Sequence, residues 1–167
     1  LFFSIVNLIV TPIAHAMPPM IPCKLVLIQQ SDVIFTGYVT KIGKNNATVT
    51  VKEVLFGKLD ASSVAISPIY MQTCLGEVVN FSVGDELLLF GKQDGDDKVT
   101  LSNKGQYKFK LDNENRDMEL SAVKRVIEIS KLPEYEKNLA IIACATSDNK
   151  RLRDDAGQYI NIYLPSG

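Results

Sequence analysis

The stretch that decides the fold is Val33-Ile-Phe-Thr-Gly-Tyr-Val-Thr-Lys-Ile42 followed by Ala47-Thr-Val-Thr-Val-Lys-Glu-Val-Leu-Phe56. β-Branched and aromatic residues dominate the first run, and valine alternates with polar residues in the second, as in half-buried strands. The residues between them, Gly43-Lys-Asn-Asn46, have turn chemistry, so the two runs predict a β-hairpin. Gly37 lies inside the first run, where we expect it to relieve crowding at the bend of a small barrel.

Further strand-like segments follow the hairpin, separated by turn residues. They predict strands at Ser63–Ser67, Glu86–Lys92, Lys98–Ser102 and Gln106–Leu111, with a hairpin turn at Gln93–Asp97. The segment Lys24–Gln30 is apolar but too short to classify, and it predicts either a helical turn or a first strand.

The periodicity changes after Asn115, where apolar residues recur at helical spacing. Helices are predicted at Met118–Lys131, Glu134–Ala145 and Lys150–Leu164, with Pro133 between the first two and Asp148 as the cap of the third. Strands followed by helices predict an α+β chain, with a small barrel over residues 23–112 and a helical tail over residues 113–167.

The first sixteen residues carry no charge and end in Ala14-His15-Ala16, which is typical of a secretory signal peptide and its cleavage site. A buried strand or a membrane anchor is the alternative, but the run is shorter than the roughly 20 apolar residues that span a bilayer. We therefore expect a secreted or periplasmic protein with no stable membrane span. Residues 17–22 would form an extended, proline-rich arm.

Cleavage at that site would remove His15, the single histidine of the 167-residue chain. The mature chain would then lack the imidazole of a Ser-His-Asp or Cys-His relay and of zinc sites. No phosphate-binding or dinucleotide-binding glycine motif occurs. The sequence therefore predicts no catalytic residues, no metal ligands and no cofactor.

Three cysteines are present: Cys23, Cys74 and Cys144. In an oxidising compartment a Cys23–Cys74 disulfide would close a loop of about 50 residues and contribute roughly 4 kcal/mol. Cys144 lies in a run of small apolar residues and predicts a buried free thiol. Three unpaired buried thiols remain the alternative, because sequence alone does not fix connectivity.

The order of features from Cys23 to Leu111 resembles the netrin-like domain of tissue inhibitors of metalloproteinases. The resemblance rests on Cys23, on Gln29-Gln-Ser-Asp-Val-Ile-Phe-Thr-Gly-Tyr-Val39, on Lys52-Glu-Val-Leu-Phe-Gly-Lys58, on Cys74 and on Phe81-Ser-Val-Gly-Asp-Glu-Leu-Leu-Leu-Phe90. It implies a small OB-like antiparallel β-barrel, as in secreted bacterial domains of this type, and it agrees with a Cys23–Cys74 bridge.

The resemblance does not extend to the inhibitory mechanism. In the animal inhibitors the first cysteine is the amino terminus, and its amine and carbonyl chelate the zinc of the protease. Here Met17–Pro22 would precede Cys23, and Lys24-Leu25 follow it in place of the family's Cys-x-Cys opening. Both departures argue against zinc chelation.

The tail resembles, more loosely, one HEAT-type repeat, on the run Asp148-Asn-Lys-Arg-Leu-Arg-Asp-Asp-Ala156 with Ile160 beyond it. Such repeats need several copies to bury a core. A helical hairpin that packs on the barrel is the simpler interpretation, and a chain cut before further repeats is another.

Other side-chain patterns are less specific. Asp94, Asp96 and Asp97 have Ca²⁺-ligand chemistry, but they also suit a solvated turn. Tyr107 and Phe109 alternate with Lys108 and Lys110, as in base-stacking strands and equally in any barrel strand with aromatics inward and lysines outward. A net charge of -1 argues against the capture of nucleic acid.

Two functions from different classes follow. The first is a non-enzymatic exported binding module that engages a protein or peptide through the barrel face or through Met20, Ile21, Pro22 and Cys23. The alternative is a glycan-binding barrel or a glycan-acting enzyme, which needs two carboxylates and no histidine. Its candidate carboxylates are Asp32, Glu53, Asp85 and Glu86, and nothing in the sequence selects a pair among them.

Overall fold

The computed structural model describes residues 23–73, 76–101 and 108–163. Its elements in chain order are α1 (Lys24–Gln29), β1 (Val33–Ile42), β2 (Ala47–Phe56), β3 (Ser63–Ser67), β4 (Met71–Thr73), β5 (Gly76–Val78), β6 (Glu86–Gln93), β7 (Lys98–Leu101), β8 (Lys108–Leu111), α2 (Arg116–Ser130), α3 (Glu134–Cys144) and α4 (Lys150–Tyr163). The α+β class and the order of strands before tail helices are confirmed.

Five strands close into a barrel in the order β1-β2-β3-β7-β6, because β6 also pairs with β1. The pairs β1–β2, β2–β3, β6–β7 and β1–β6 are antiparallel, whereas β3 and β7 run parallel. Strand directions cannot alternate all the way around a ring with an odd number of members, so a ring of five contains at least one parallel pair. The predicted OB-like barrel is confirmed, with this parallel pair as its exception to antiparallel order.

Three of the described strands and one short helix lie outside the ring. β8 pairs with β6, and β4 and β5 form a separate small hairpin in the long connection from β3 to β6. The ambiguous segment after Cys23 is helix α1, which packs against α2 and α4 of the tail.

β1 and β6 separate two hydrophobic cores. Val33, Phe35, Leu87 and Leu89 point into the barrel, whereas Ile34, Leu88 and Phe90 point outward and pack against α1 and the tail helices. Successive side chains of a strand face opposite sides, so a strand buried on both sides reads as a continuous apolar run. This explains the uninterrupted sequence Leu87-Leu-Leu-Phe90.

Gly37 lies at a register shift of the β1–β2 pairing. A Cβ atom at this position would lie 2.5 Å from the carbonyl oxygen of Thr50 and 2.5 Å from a methyl group of Val49. The expectation that Gly37 permits close approach at a bend of the barrel is therefore confirmed.

Two local expectations were wrong. The cap of α4 is Asn149 and not Asp148, because the Oδ1 of Asn149 accepts a hydrogen bond from the Leu152 amide at 3.1 Å.

In β8, Lys108 is buried and its ammonium lies 5.8 Å from the centre of the Phe81 ring, while Phe109 packs on the tail side against Phe90. The strand lies between the two cores, so its aromatic residue turns toward the tail. Tyr107 lies outside the described residues.

Candidate functional site

A groove opens on the outer surface of the barrel where β3 and β7 lie side by side. Its volume is about 290 Å³, just below the range of ligand pockets, roughly 300–1,000 Å³. We call it the loop groove, because the turns between β1 and β2 and between β6 and β7 form its walls. Its lining residues are Asn45, Asn46, Ala65, Ser67, Asp94, Lys98 and Thr100.

The floor of the loop groove follows from the alternation of β3 and β7. Val64, Ile66 and Val99 point into the barrel core, so the residues between them face outward. The parallel register sets Ala65 beside Lys98 and Ser67 beside Thr100. Small outward side chains on β3 leave a depression between the two turns.

Hydrogen bonds within the walls hold both turns in shape. In the first turn the Gly43 amide donates to the Asn46 carbonyl at 2.8 Å, and the Tyr70 hydroxyl donates to the Lys44 carbonyl at 2.6 Å. In the second turn the Asp94 amide donates to the Lys98 carbonyl at 2.9 Å. The loop groove is therefore built on a braced scaffold.

The loop groove has a polar and nearly neutral lining. Two side-chain amides and two hydroxyls each can donate and accept hydrogen bonds. Asp94 and Lys98 carry opposite charges, and aromatic residues are missing from the described part of the lining. Such a surface matches a ligand rich in neutral donors and acceptors.

Asp94, Asp96 and Asp97 form the predicted hairpin turn between β6 and β7, where all three are exposed. Gly95 in this turn has a φ of 88°, which suits glycine. Within the described ranges, no three His, Cys, Asp or Glu side chains come together in a way that could hold a metal ion.

Three of the four candidate carboxylates, Glu53, Asp85 and Glu86, form ion pairs, and each has its own cationic partners. Glu86 lies 3.0 Å from Lys52 Nζ and 3.2 Å from Arg116 Nε, and Glu53 lies 2.8 Å from Lys124 Nζ. Burial acts to raise the pKa of Glu86, but the hydrogen bonds and charges of the two cations outweigh it and lower the pKa. A general acid needs a raised pKa, so Glu86 is poorly suited to that role.

Asp85 and Asp32 contact other groups than Glu53 and Glu86 do. Asp85 lies 2.9 Å from Lys110 Nζ and accepts a hydrogen bond from the Ser82 amide at 2.8 Å. Burial raises its pKa, and these bonds lower it further than burial raises it. Asp32 is exposed before β1, where its backbone amide donates to Gly91. The four carboxylates thus have different partners, and the structure does not select a catalytic pair among them.

Cys23 is built into the start of α1. Its carbonyl oxygen accepts hydrogen bonds from the amides of Val26 at 3.0 Å and Leu27 at 3.2 Å, and its side chain is 2% exposed. The Cys23 carbonyl is therefore engaged in the first turn of α1. Cys23 is a free thiol in the structure; its expected bridging partner Cys74, and Met20, Ile21 and Pro22, lie outside the described residues.

A buried cluster of charges joins α1 to the tail. Lys24 Nζ lies 2.9 Å from Asp155 and 3.1 Å from Glu119, and Arg151 Nε lies 2.7 Å from the other oxygen of Glu119. Lys24, Glu119 and Asp155 are each less than a tenth exposed. Burial raises the pKa of Asp155, and Lys24 opposes that rise. Sequence reasoning missed this cluster, because its members come from three distant segments.

The tail presents an apolar surface to solvent. Tyr135, Leu139 and Ile142 on α3 are 75%, 51% and 50% exposed, whereas Ile141 and Cys144 on the same helix are buried. We call the three exposed residues the tail stripe. Cys144 is a buried free thiol, as predicted.

None of the helices in the described part of the chain is long and apolar enough to cross a membrane. A comparison of the sequence with known protein families finds no match, and neither does a comparison with curated proteins.

Proposed function

We propose that this protein is an exported, non-enzymatic binding module that holds its ligand in the loop groove. The observation that carries the proposal is the position of the groove: it lies on the barrel wall between two braced turns. In OB-type barrels the corresponding turns, together with the face of the second and third strands, bind oligonucleotides and oligosaccharides; of these two strands, the groove floor includes β3.

The lining supports a glycan more than the other ligand classes. Single-stranded nucleic acid binds through basic grooves and aromatic stacking, whereas the described lining has one lysine, one aspartate and no aromatic ring. Protein partners usually insert aromatic or arginine anchors into apolar pockets. Hydroxyl and amide groups suit the hydroxyls of a sugar, so we favour a neutral oligosaccharide.

Export and the absence of catalysis are further parts of the proposal. The uncharged opening run with its Ala14-His15-Ala16 end supports a signal peptide. Loss of His15 on cleavage would remove the imidazole that most hydrolytic relays use. The separate ion pairs of Glu53 and Glu86 favour a binding role over a carboxylate-pair enzyme.

A protein or peptide partner is the second candidate, and the tail stripe favours it. Exposed apolar patches on otherwise polar surfaces often mark protein interfaces. Membership of the netrin-like group remains a proposal as well: the strand order of the barrel supports it, while the residues before and after Cys23 argue against zinc chelation.

The groove proposal can be tested by calorimetric titration of the protein with oligomers of glucose, mannose and N-acetylglucosamine. We expect one of these sugars to bind, and Thr100→Ala to weaken binding roughly fivefold, since a hydrogen bond contributes about 1 kcal/mol. Thr146→Ala, an exposed hydroxyl on the tail, serves as the matched control. Binding unaffected by Thr100→Ala would place the sugar elsewhere, and binding of unstructured peptides alone would favour the second candidate.

A further inference from the structure

Three polar residues of the loop groove follow one another across the strands of the barrel. The parallel register pairs Ser67 of β3 with Thr100 of β7. On the other side of β3, the antiparallel register pairs Ile66 with Ala47. One step further along this register, Asn46 comes opposite Ser67, just before β2 begins. All three line the groove, and we call Asn46, Ser67 and Thr100 the polar row.

The side chains of the polar row are not used to hold the fold together. Within the described ranges, none of the three forms a side-chain hydrogen bond, and the neighbouring turns are braced through main-chain groups instead. Elsewhere on the surface, polar side chains pair with one another, as Lys124 does with Glu53. A ligand can therefore bond to the carboxamide and the two hydroxyls of the row without breaking any bond of the protein.

The spacing of the polar row suits a chain of sugars. Neighbouring strands of a sheet lie about 4.8 Å apart, and this distance separates successive positions of the row. A pyranose ring together with its glycosidic oxygen has a similar length in an extended chain. One sugar residue can therefore lie over each of the three positions.

We propose that the loop groove binds an extended, linear oligosaccharide that crosses the strands, with three consecutive sugar residues over Asn46, Ser67 and Thr100. This inference rests on the glycan function proposed above, and it adds the shape and the direction of the ligand. Carboxamides and hydroxyls both donate and accept hydrogen bonds, as sugar hydroxyls do. Ala65 lies on the same face of β3 as Ser67, and its small side chain leaves room for the central sugar ring.

Both ends of the polar row are defined. Beyond Thr100 the register continues to Lys92 of β6, which does not line the groove. Beyond Asn46 the next residue is Gly43, whose amide donates to the Asn46 carbonyl at 2.8 Å and which has no side chain to offer. The groove therefore has three positions, and a fourth sugar residue should add little to the affinity.

The test is calorimetric titration of the protein with oligomers of cellulose, mannan and chitin, from the disaccharide to the hexasaccharide. In the series that binds, we expect the affinity to rise roughly fivefold from the disaccharide to the trisaccharide, which is the effect of one added hydrogen bond. From the trisaccharide onward the affinity should stay nearly constant.

Single substitutions distinguish the end positions of the row from the central one. Asn46→Ala and Thr100→Val should each weaken trisaccharide binding roughly fivefold and leave disaccharide binding nearly unchanged, because two adjacent positions remain. Ser67→Ala should weaken the binding of both lengths. Ser63→Ala is the matched control, because Ser63 is an exposed residue of β3 outside the groove lining. Circular dichroism shows whether the variants remain folded.

The outcomes separate this inference from the function on which it rests. Equal affinity for every length would overturn the extended arrangement and leave a glycan site in the groove, as would an equal effect of Thr100→Val on both lengths. An affinity that keeps rising beyond the trisaccharide would overturn the limit of three positions. Binding of none of these sugars would overturn the inference together with the glycan function.

Discussion

The ammonium group of Lys24 lies 2.9 Å from a carboxylate oxygen of Asp155, although 131 residues separate them in the chain. The backbone amide of Lys24 also donates to the other oxygen of Asp155, at 3.3 Å. Glu119 approaches the same ammonium from α2. One buried cation thus holds two helices of the tail to α1, just before the chain enters the barrel at β1.

Removal of this cation should destabilise the fold strongly. Lys24→Met leaves two buried carboxylates short of a partner, and we expect the free energy of unfolding to fall by about 3–5 kcal/mol. Urea unfolding followed by circular dichroism measures this change. Lys41→Met, at an exposed position of β1, should change it little.

A paired replacement separates the loss of attraction from the cost of an unpaired charge. Lys24→Met combined with Asp155→Leu should be more stable than Lys24→Met alone, because it removes one uncompensated carboxylate. Equal stability of the single and double variants would show that Asp155 does not depend on Lys24.

Two glycines should respond in opposite ways to the same substitution. Gly37→Ala places a Cβ against the backbone of β2. We expect the free energy of unfolding to fall by about 1–3 kcal/mol, which is typical of overpacking. Gly157 lies in α4, where an added Cβ would have no heavy atom within 4 Å beyond its own helix backbone and chain neighbours. Gly157→Ala should stabilise the protein by up to about 1 kcal/mol. Thermal unfolding of both variants checks the pair, and a harmless Gly37→Ala would contradict the close approach of β1 and β2.

Glu86 should make stability depend on pH in the acidic range. Because its pKa is lowered in the folded protein, the ionised form stabilises the fold above the ordinary carboxylate pKa of about 4.3. That contribution is lost as the pH falls from there through the lowered pKa. Glu86→Gln should therefore be less stable than the unmodified protein at neutral pH, and the difference should shrink on acidification.

Chemical denaturation at a series of pH values measures this difference. Glu114→Gln, which changes an exposed side chain, is the control. A stability gap between Glu86→Gln and the unmodified protein that stays constant from neutral to acidic pH would mean that Lys52 and Arg116 do not stabilise the carboxylate.

Cys23 is a free thiol in the structure, whereas the proposed export to an oxidising compartment predicts a Cys23–Cys74 disulfide with Cys144 left free. Burial raises the pKa of the Cys144 thiol, so we expect iodoacetamide to modify it slowly in the native protein and quickly after unfolding. Mass spectrometry of intact and reduced protein should show a difference of two hydrogen atoms and an amino terminus at Met17. Three alkylated cysteines in the unreduced, unfolded protein would exclude the bridge.

Local patterns predicted much of the fold, because their causes are local. Turn residues between two alternating runs predicted the β1–β2 hairpin, and the unbroken run Leu87–Phe90 predicted a buried strand. The burial of Lys108 was not predictable from alternation alone, since β8 lies between two cores and the alternation does not say which face meets the tail.

Contacts between segments far apart in the chain could not be predicted from the sequence. In the sequence, Lys24 looks like an ordinary surface lysine. In the structure, α2 and α4 place Glu119 and Asp155 beside it. The loop groove likewise needs Ser67 and Thr100 in register on two parallel strands. The small outward residues of β3, Ser63, Ala65 and Ser67, were its one local signal.

The most direct test of the groove-binding function is a nuclear magnetic resonance titration of the isotope-labelled mature protein with the tightest-binding oligosaccharide. Saturable shifts of the amide signals of Asn45, Asn46, Ser67 and Thr100, with the signals of α2 and α3 unmoved, are the predicted result. Shifts that cluster on the tail, or no saturable shift with any sugar, would contradict a glycan site between the two turns.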